Sequence, residues 1–291
     1  MKRISPIDLR YVLVLPVVLL LLIFTIYPFI FQIYLSFTGA SIRNYMTAPL
    51  IGLQNYSTLL VNPGHFWSTM RVTVLFVAIV VSAELLLGLA MALLVFPLTS
   101  GVRTIVTLLV LPMLATPVFL GAIGRLVFHS IVGVVPYYFK AVGLPAPMMS
   151  DPAHALLAVA ILDIWQWTPF MFLISHAGLQ AIPTEVLDAA QVDGASGLNQ
   201  LRYVILPLLR LVLSVAIIFR TMDAFKTFDI PYILSEGGPG APVGATTTVS
   251  VLTYKLMLTY DQFGQAAALV VLLLVVMNLT INRLSKYLLG R

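Results

Sequence analysis

Six stretches of this chain, roughly 11–35, 72–96, 104–128, 155–177, 203–228 and 264–284, are predominantly apolar and long enough to cross a bilayer as helices, since about 20 such residues suffice. Nothing else in the sequence restricts the fold so strongly. Apolar residues make up 60% of the chain and charged residues 9%, against about 25% charged in an ordinary soluble domain. A soluble fold with so little charge would expose large apolar patches and aggregate. The expectation is therefore an all-α polytopic membrane protein with six transmembrane helices, residues 1–291 forming a single transmembrane domain. The first run is too long for the apolar core of a signal peptide and lacks a clear small-residue cleavage site, so it reads as a retained helix. The fifth is the least regular, because it carries Arg210, Arg220, Asp223 and Lys226. The chain has no cysteine, which excludes disulfides, thiolate catalysis and cysteine-ligated metals.

Charge sets the expected orientation. Lys2, Arg3, Arg10, Arg103, Arg202, Arg210, Arg283, Lys286 and Arg291, nine basic residues, fall on the side of the N-terminus. Arg43, Arg71, Arg125, Lys140 and Lys255, five, fall on the other, with Arg220 and Lys226 left out because they lie at or near membrane depth. The positive-inside rule then places both termini in the cytoplasm. Basic residues scattered among apolar runs mark orientation rather than a nucleic-acid face, so no nucleic acid is expected as a partner; membrane lipid is.

Three loops, about 36–71, 129–154 and 229–263, are then external. Pro136, Pro145, Pro147 and Pro152 keep the second from being one long helix. The third opens on Gly237-Gly238-Pro239-Gly240, a turn signal, and Thr246–Tyr260 suits a short interfacial helix.

The chain has no Gly-Lys pair and so no phosphate loop of the G-x-x-x-x-G-K-S/T kind. The histidines His65, His129, His154 and His176 are scattered without metal-ligand spacing. There is no G-x-S-x-G nucleophile elbow. An enzyme is not expected, and this chain is expected to carry no cofactor of its own.

One inward loop, about 178–207, is too long for a simple turn. Pro183 and Thr184 read as a helix start, with Glu185 in the first turn favoured by the helix dipole. Asp193-Gly194 reads as a break, and a second helix is expected from about Ala195 to Leu206-Pro207. Small residues at Ala189, Ala190, Gly194 and Ala195 allow another surface to approach. On physical grounds alone, a docking element and an amphipathic connector lying on the membrane are equally good readings.

The same stretch resembles the signature loop of bacterial and archaeal ABC importer permeases, E-A-A, three residues, G, nine residues, I-x-L-P. Here the run is Asp188-Ala189-Ala190, Gly194 and Val204-Ile205-Leu206-Pro207 at those spacings, with Asp188 for the glutamate and Val204 for the isoleucine. Tyr27-Pro28, Ile51-Gly52-Leu53-Gln54-Asn55-Tyr56, Ile164 to Phe170 and Phe225 to Asp229 extend the resemblance to carbohydrate permeases of the maltose and glycerol-3-phosphate type. The Gly237–Gly240 run is typical of the half similar to the maltose-system F subunit. Arg71 and Pro136 stand where that family commonly has asparagine.

The resemblance implies the permease fold and a subunit of an ATP-driven, binding-protein-dependent sugar importer in the plasma (inner) membrane of a bacterium or archaeon. Its implied partners are a second permease subunit, two ATPase subunits carrying ATP and magnesium, and an extracytoplasmic sugar-binding protein. Glu185, Asp188, Ala189, Ala190, Asp193, Gly194 and Ala195 would form the helix that couples to the ATPase. The competing reading is a secondary transporter driven by an ion gradient, which predicts repeated halves and broken spans with matching charges that this sequence does not display.

Ionisable residues at membrane depth cost roughly 2.5–3.5 kcal/mol each on insertion scales and usually face a cavity or one another. Glu84, with Gly88 one turn on, reads as bundle-facing and structural. Arg220 and Asp223 read either as a neutralising i, i+3 pair or as part of a sugar path. That path would set Asp163, Gln166, Trp167 and Phe170 on one helix opposite Arg220, Asp223, Ala224 and Thr227 on another, with 220, 223 and 227 on one face. In the resembling family the substrate contacts lie on these two helices. The sequence does not name the sugar. Arg220 would suit an anionic cargo, but Asp223 cancels much of that preference, and a neutral di- or oligosaccharide such as an α-glucoside is the expectation.

Overall fold

The computed structural model describes residues 6–61, 66–143, 152–236 and 244–290. It contains twelve helical segments among these residues and no strand beyond a single bridge between Thr38 and Leu50. The Gly237–Gly240 turn, Pro145, Pro147, Lys2, Arg3 and Arg291 lie outside the described residues.

Five helices are long and apolar enough to span: α1 Tyr11–Ser36, α3 Phe66–Val95, α7 Pro152–Gln180, α9 Leu198–Ala224 and α12 Phe263–Leu289. In place of the expected third span is a sharply bent pair of apolar helices. It consists of α4 Val102–Leu114 and α5 Pro117–Val127, bent by 85° at Ala115-Thr116. The cause is local. Pro112 and Pro117 lack the N–H that would continue the ladder, and Ala115 and Thr116 are extended, at ψ 133° and 139°. The shorter helices are α2 Gln54–Val61, α6 Val134–Ala141, α8 Thr184–Val192, α10 Asp229–Glu236 and α11 Val249–Thr259. A short helix is present as α11 within the expected Thr246–Tyr260 stretch, whereas α10 was not anticipated.

Two compact units divide the chain. The first comprises the residues up to Phe66 with Leu252–Leu274. In it Asn55 is buried and donates from Nδ2 to the carbonyls of Ser36 and Thr38 at 2.9 and 2.8 Å, tying α2 to the end of α1. Asp261 accepts from the Ile42 amide at 2.6 Å. The apolar window of α1 is exposed throughout.

The second unit, Trp67–Val251 with Val275–Arg291, holds the larger core. Phe172 and Leu179 of α7 pack with Ala92 and Val95 of α3 and with Ile205, Leu209 and Leu213 of α9. Gly88 permits the α3–α7 contact: a methyl group there would lie 2.6 Å from Met171 Cβ and from the Phe172 amide nitrogen. Small residues bring helices together in this way inside membranes.

Two expectations fail at the ends of α9. The second helix of the inward loop does not begin at Ala195 and is not separate. Residues 195–197 are non-helical, Gly197 having φ +52°, and the helix starting at Leu198 runs through a π-helical turn, Leu201–Ile205, into the fifth span. At the other end the helix stops at Ala224 rather than 228. Lys226 and Thr227 donate their amides to the carbonyls of Asp223 and Ala224, tightening the last turn. Thr227 therefore does not share a helix face with Arg220 and Asp223.

Candidate functional site

At the centre of the second unit, Arg220 of α9 is buried among three carboxylates. Its Nε and Nη2 donate to the two oxygens of Glu84 on α3 at 2.8 and 2.9 Å, a bidentate pair. Nη2 also donates to Asp163 Oδ1 on α7, and Nη1 to Asp223 Oδ2, one turn on, at 3.2 Å. The guanidinium lies 5.0 Å from the centroid of the Trp167 ring, whose face attracts it. Four of the five N–H donors a guanidinium offers are thus taken. Both sequence readings of Arg220 missed its main partner: the i, i+3 contact with Asp223 exists, but the bidentate bond goes to another span.

Beside this cluster is a cavity of about 160 Å³. Asp163, Gln166, Trp167, Asp223 and Thr227 border it, together with Lys226, Asp229 and Pro117. Gln166 is buried and donates from Nε2 to the Ala115 carbonyl at 2.6 Å, the carbonyl that the break between α4 and α5 leaves without a helical partner. Its Oε1 has no partner among the described residues. Asp223 is half-exposed, its side chain 38% accessible. Thr227 enters through the turn after α9, and its carbonyl accepts from Thr248 Oγ1 at 3.0 Å.

Three of the expected path residues do not border this cavity. Arg220 and Ala224 are buried behind it. Phe170 stacks edge-on against Trp167 at 6.2 Å and lies 5.7 Å from Phe219, a packing role. Conversely, Pro117, Lys226, Phe228, Asp229 and Ile230 reach the cavity without having been singled out for it. The paired prolines were the available signal for Pro117. Among the described residues no group of acidic and histidine side chains is arranged to hold a metal.

α8 ends in a Schellman motif. Gly194 has φ +82°, its amide donates to the Gln191 carbonyl at 3.0 Å, and the Ala195 amide donates to Ala190 at 2.9 Å. Glu185, Asp188, Ala189, Asp193 and Gly194 are exposed, while Ala190 and Ala195 are half-buried. Leu187 packs on the core between α3, α7 and α9, and its carbonyl accepts from Gln200 Nε2 at 3.2 Å. Val192 and Leu198 project outward, 88% and 80% exposed. The result is a short, capped helix that is exposed except at Leu187 and Ala190, which are half-buried.

Residues 84–291 match the family described as binding-protein-dependent transport system inner membrane component. The chain is 34% identical over 275 residues to the trehalose/maltose transport system permease protein MalF of Thermococcus litoralis, covering 94% of this chain and 91% of that one. It is 34% identical over 267 residues to the sulfoquinovosyl glycerol transport system permease protein SmoG of Agrobacterium fabrum, covering 91% and 85%. A bacterial alginate ABC transporter, solved in complex with an alginate pentasaccharide-bound periplasmic protein, has the same fold, with a TM-score of 0.82 at 20% identity over 98% of this chain and 95% of that one. The break between α4 and α5, the polar cavity beside it and the capped loop helix therefore sit in a multi-pass membrane protein that belongs to the binding-protein-dependent transport system inner membrane component family, the permease subunits of ABC importers, and is a transport subunit rather than an enzyme.

Proposed function

We propose that this chain forms one half of the translocation path of an ATP-driven sugar importer in the plasma membrane of a bacterium or archaeon. It works with a second permease subunit, two ATPase subunits that bind ATP and magnesium, and an external sugar-binding protein. The cavity beside Arg220 carries this reading. It offers a hydroxyl-binding acceptor in Asp223, donors in Lys226 and Thr227, and an apolar wall in Trp167 and Phe228. A polyol needs that mixture, and relatives named for trehalose, maltose and sulfoquinovosyl glycerol transport support a carbohydrate cargo.

The charge arrangement favours a neutral sugar. Arg220, the natural receptor for an anion, is committed to Glu84, Asp163 and Asp223. The cavity lining then presents Asp163, Asp223 and Asp229 against Lys226 alone, so an acidic sugar would meet like charge. The surface of α8, with Asp188, Ala189, Ala190 and Gly194, is what seats in the ATPase and couples hydrolysis to transport.

The test is reconstitution with the two ATPase subunits, the second permease and the binding protein. Uptake of a radiolabelled α-glucoside disaccharide is expected to require ATP and the binding protein, and the ATPase to co-purify with this chain. Uptake that persists without the ATPase and collapses with a protonophore would overturn the proposal in favour of a secondary transporter.

A further inference from the structure

A second cleft, sharing no lining residue with the cavity beside Arg220, has a cavity of about 430 Å³. Leu85 of α3, Leu213 and Ile217 of α9 and Leu288 of α12 wall it. Arg202 and Arg210, both exposed, line it as well, Arg202 at the start of the α9 stretch and Arg210 about 12 Å further along it. Beyond Ile217 it meets a further cavity of about 270 Å³ that shares that residue and is walled by Val81, Thr221 and Leu284. At 1.5 Å per residue, the helix from Arg202 to Ile217 measures about 22 Å. That matches a headgroup layer plus half of a hydrocarbon core roughly 30 Å thick.

Arg210 is anchored by hydrogen bonds. Arg210 donates from Nε to the Leu288 carbonyl at 2.8 Å and from Nη2 to Tyr287 at 3.3 Å, capping the C-terminus of α12. Arg202 lies 5.5 Å from the centroid of the Tyr203 ring. Neither has a carboxylate partner among the described residues. None of the described residues lining the cleft is Asp or Glu, while Arg283 and Lys286 add positive charge on α12. Ser214, the polar group along the wall, is satisfied by the Arg210 carbonyl at 2.6 Å. The cleft therefore offers two cations without a carboxylate partner beside an otherwise largely apolar wall.

We propose that this cleft binds a diacyl phospholipid with an anionic headgroup, its phosphate against Arg202 and Arg210 and one acyl chain lying along α9 past Leu213 to Ile217. A helix from another protein would fill the apolar part but would leave both arginines without a counter-charge. Basic clefts between membrane helices bind anionic headgroups by this combination.

The chain contains no cysteine, so Ile217→Cys places a single fluorophore at the inner end of the cleft, in a complex whose other subunits lack reactive cysteine. The complex is reconstituted in phosphatidylcholine vesicles doped with phosphatidylglycerol or phosphatidylcholine brominated on the acyl chain. Brominated phosphatidylglycerol is expected to quench at a mole fraction at least about fivefold lower than brominated phosphatidylcholine, and Arg202→Gln to remove about fivefold of that preference. Arg202 makes no backbone bond, so this variant decides the matter if Arg210→Gln frays α12. Equal quenching by both lipids would mean ordinary boundary lipid. No quenching, with the unlabelled Ile217→Cys variant cross-linking through its thiol to the second permease, would mean a protein occupant. Either result overturns the proposal.

Discussion

Arg220 and Glu84, 136 positions apart in sequence, form a fully buried bidentate ion pair that joins the fifth span to the second. Asp163 brings in the fourth span through the same guanidinium. Three helices thus meet on one cation, and the polar cavity lies directly beside it.

Breaking one side of such a pair leaves an uncompensated charge in a membrane interior. Glu84→Leu is expected to cost about 3–5 kcal/mol, and Arg220→Met a similar amount, because each strands its partner. The double variant should be more stable than either single one, since it leaves no stranded partner within the pair. Thermal unfolding of the purified permease complex checks this. A double variant no better than the singles would show that Asp163 and Asp223 need the cation as much as Glu84 does.

Gly88 sets how closely the second and fourth spans approach. With Met171 Cβ and the Phe172 amide nitrogen 2.6 Å from where a methyl would sit, even Gly88→Ala must push backbone apart. Overpacking of this kind costs about 1–3 kcal/mol, and Gly88→Leu should cost more. The yield of monodisperse protein after detergent extraction is the readout, with Gly88→Ala intermediate between wild type and Gly88→Leu.

Much of this arrangement was legible in the sequence, and the reasons for what was not are specific. Five spans and the short helix α11 follow from apolar run length. The start of α8 follows from Pro183-Thr184, and its stop from Asp193-Gly194. The break at Ala115 was missed although Pro112 and Pro117 bracket it, because the run 104–128 stays apolar through the bend and hydropathy does not register direction. For Arg220 the sequence offers either an i, i+3 pair with Asp223 or a place on a sugar path, because local spacing is visible in a sequence, whereas a contact across 136 positions is a property of packing. Thr227 was placed on a helix that ends at Ala224, yet the turn beyond delivers it to the same cavity.

The expected orientation rests on nine basic residues against five. A reporter fused at Ser196 is expected to read cytoplasmic and one at Gly240 external. The opposite result at either position would reverse the assignment of the loops and remove α8 from the side where an ATPase works.

Within the cavity, Gln166 and Thr227 have different duties. Thr227→Ala removes one hydroxyl from the lining and no bond to a neighbouring span, so it should weaken transport by a few-fold to about tenfold, the equivalent of roughly one hydrogen bond, without changing assembly. Gln166→Ala also strands the Ala115 carbonyl and should lower stability as well, by about 1–3 kcal/mol. Uptake in vesicles with matched protein, read beside thermal stability, separates the two. Wild-type transport in both variants would remove the cavity from the sugar path.

The loop gives the sharpest test, because Gly194 is constrained by its backbone and by nothing else in this chain. Its φ is +82°, while a methyl group added there would meet no atom within 4 Å. Substitution therefore acts through strain, about 1–3 kcal/mol for residues that avoid the left-handed region, and not through a clash within the chain. Asparagine tolerates that region, alanine does so poorly, and a β-branched residue is worst. Gly194→Asn should retain the bonds from 194 to Gln191 and from Ala195 to Ala190, leaving α8 in place. Gly194→Ala should be intermediate. Gly194→Val should unwind the cap, displacing Asp193 and Ala195 relative to Asp188 and the Ala189-Ala190 pair, while the spans still insert. The measurement is stimulation of ATP hydrolysis by loaded binding protein in reconstituted complexes, with permease heterodimer content as the control. The expected order is glycine, asparagine, alanine, valine, with valine close to unstimulated. Full stimulation by Gly194→Val would reduce α8 to a connector, and stimulation lost equally in all three variants would point to side-chain bulk at the ATPase surface instead of the conformation of the cap.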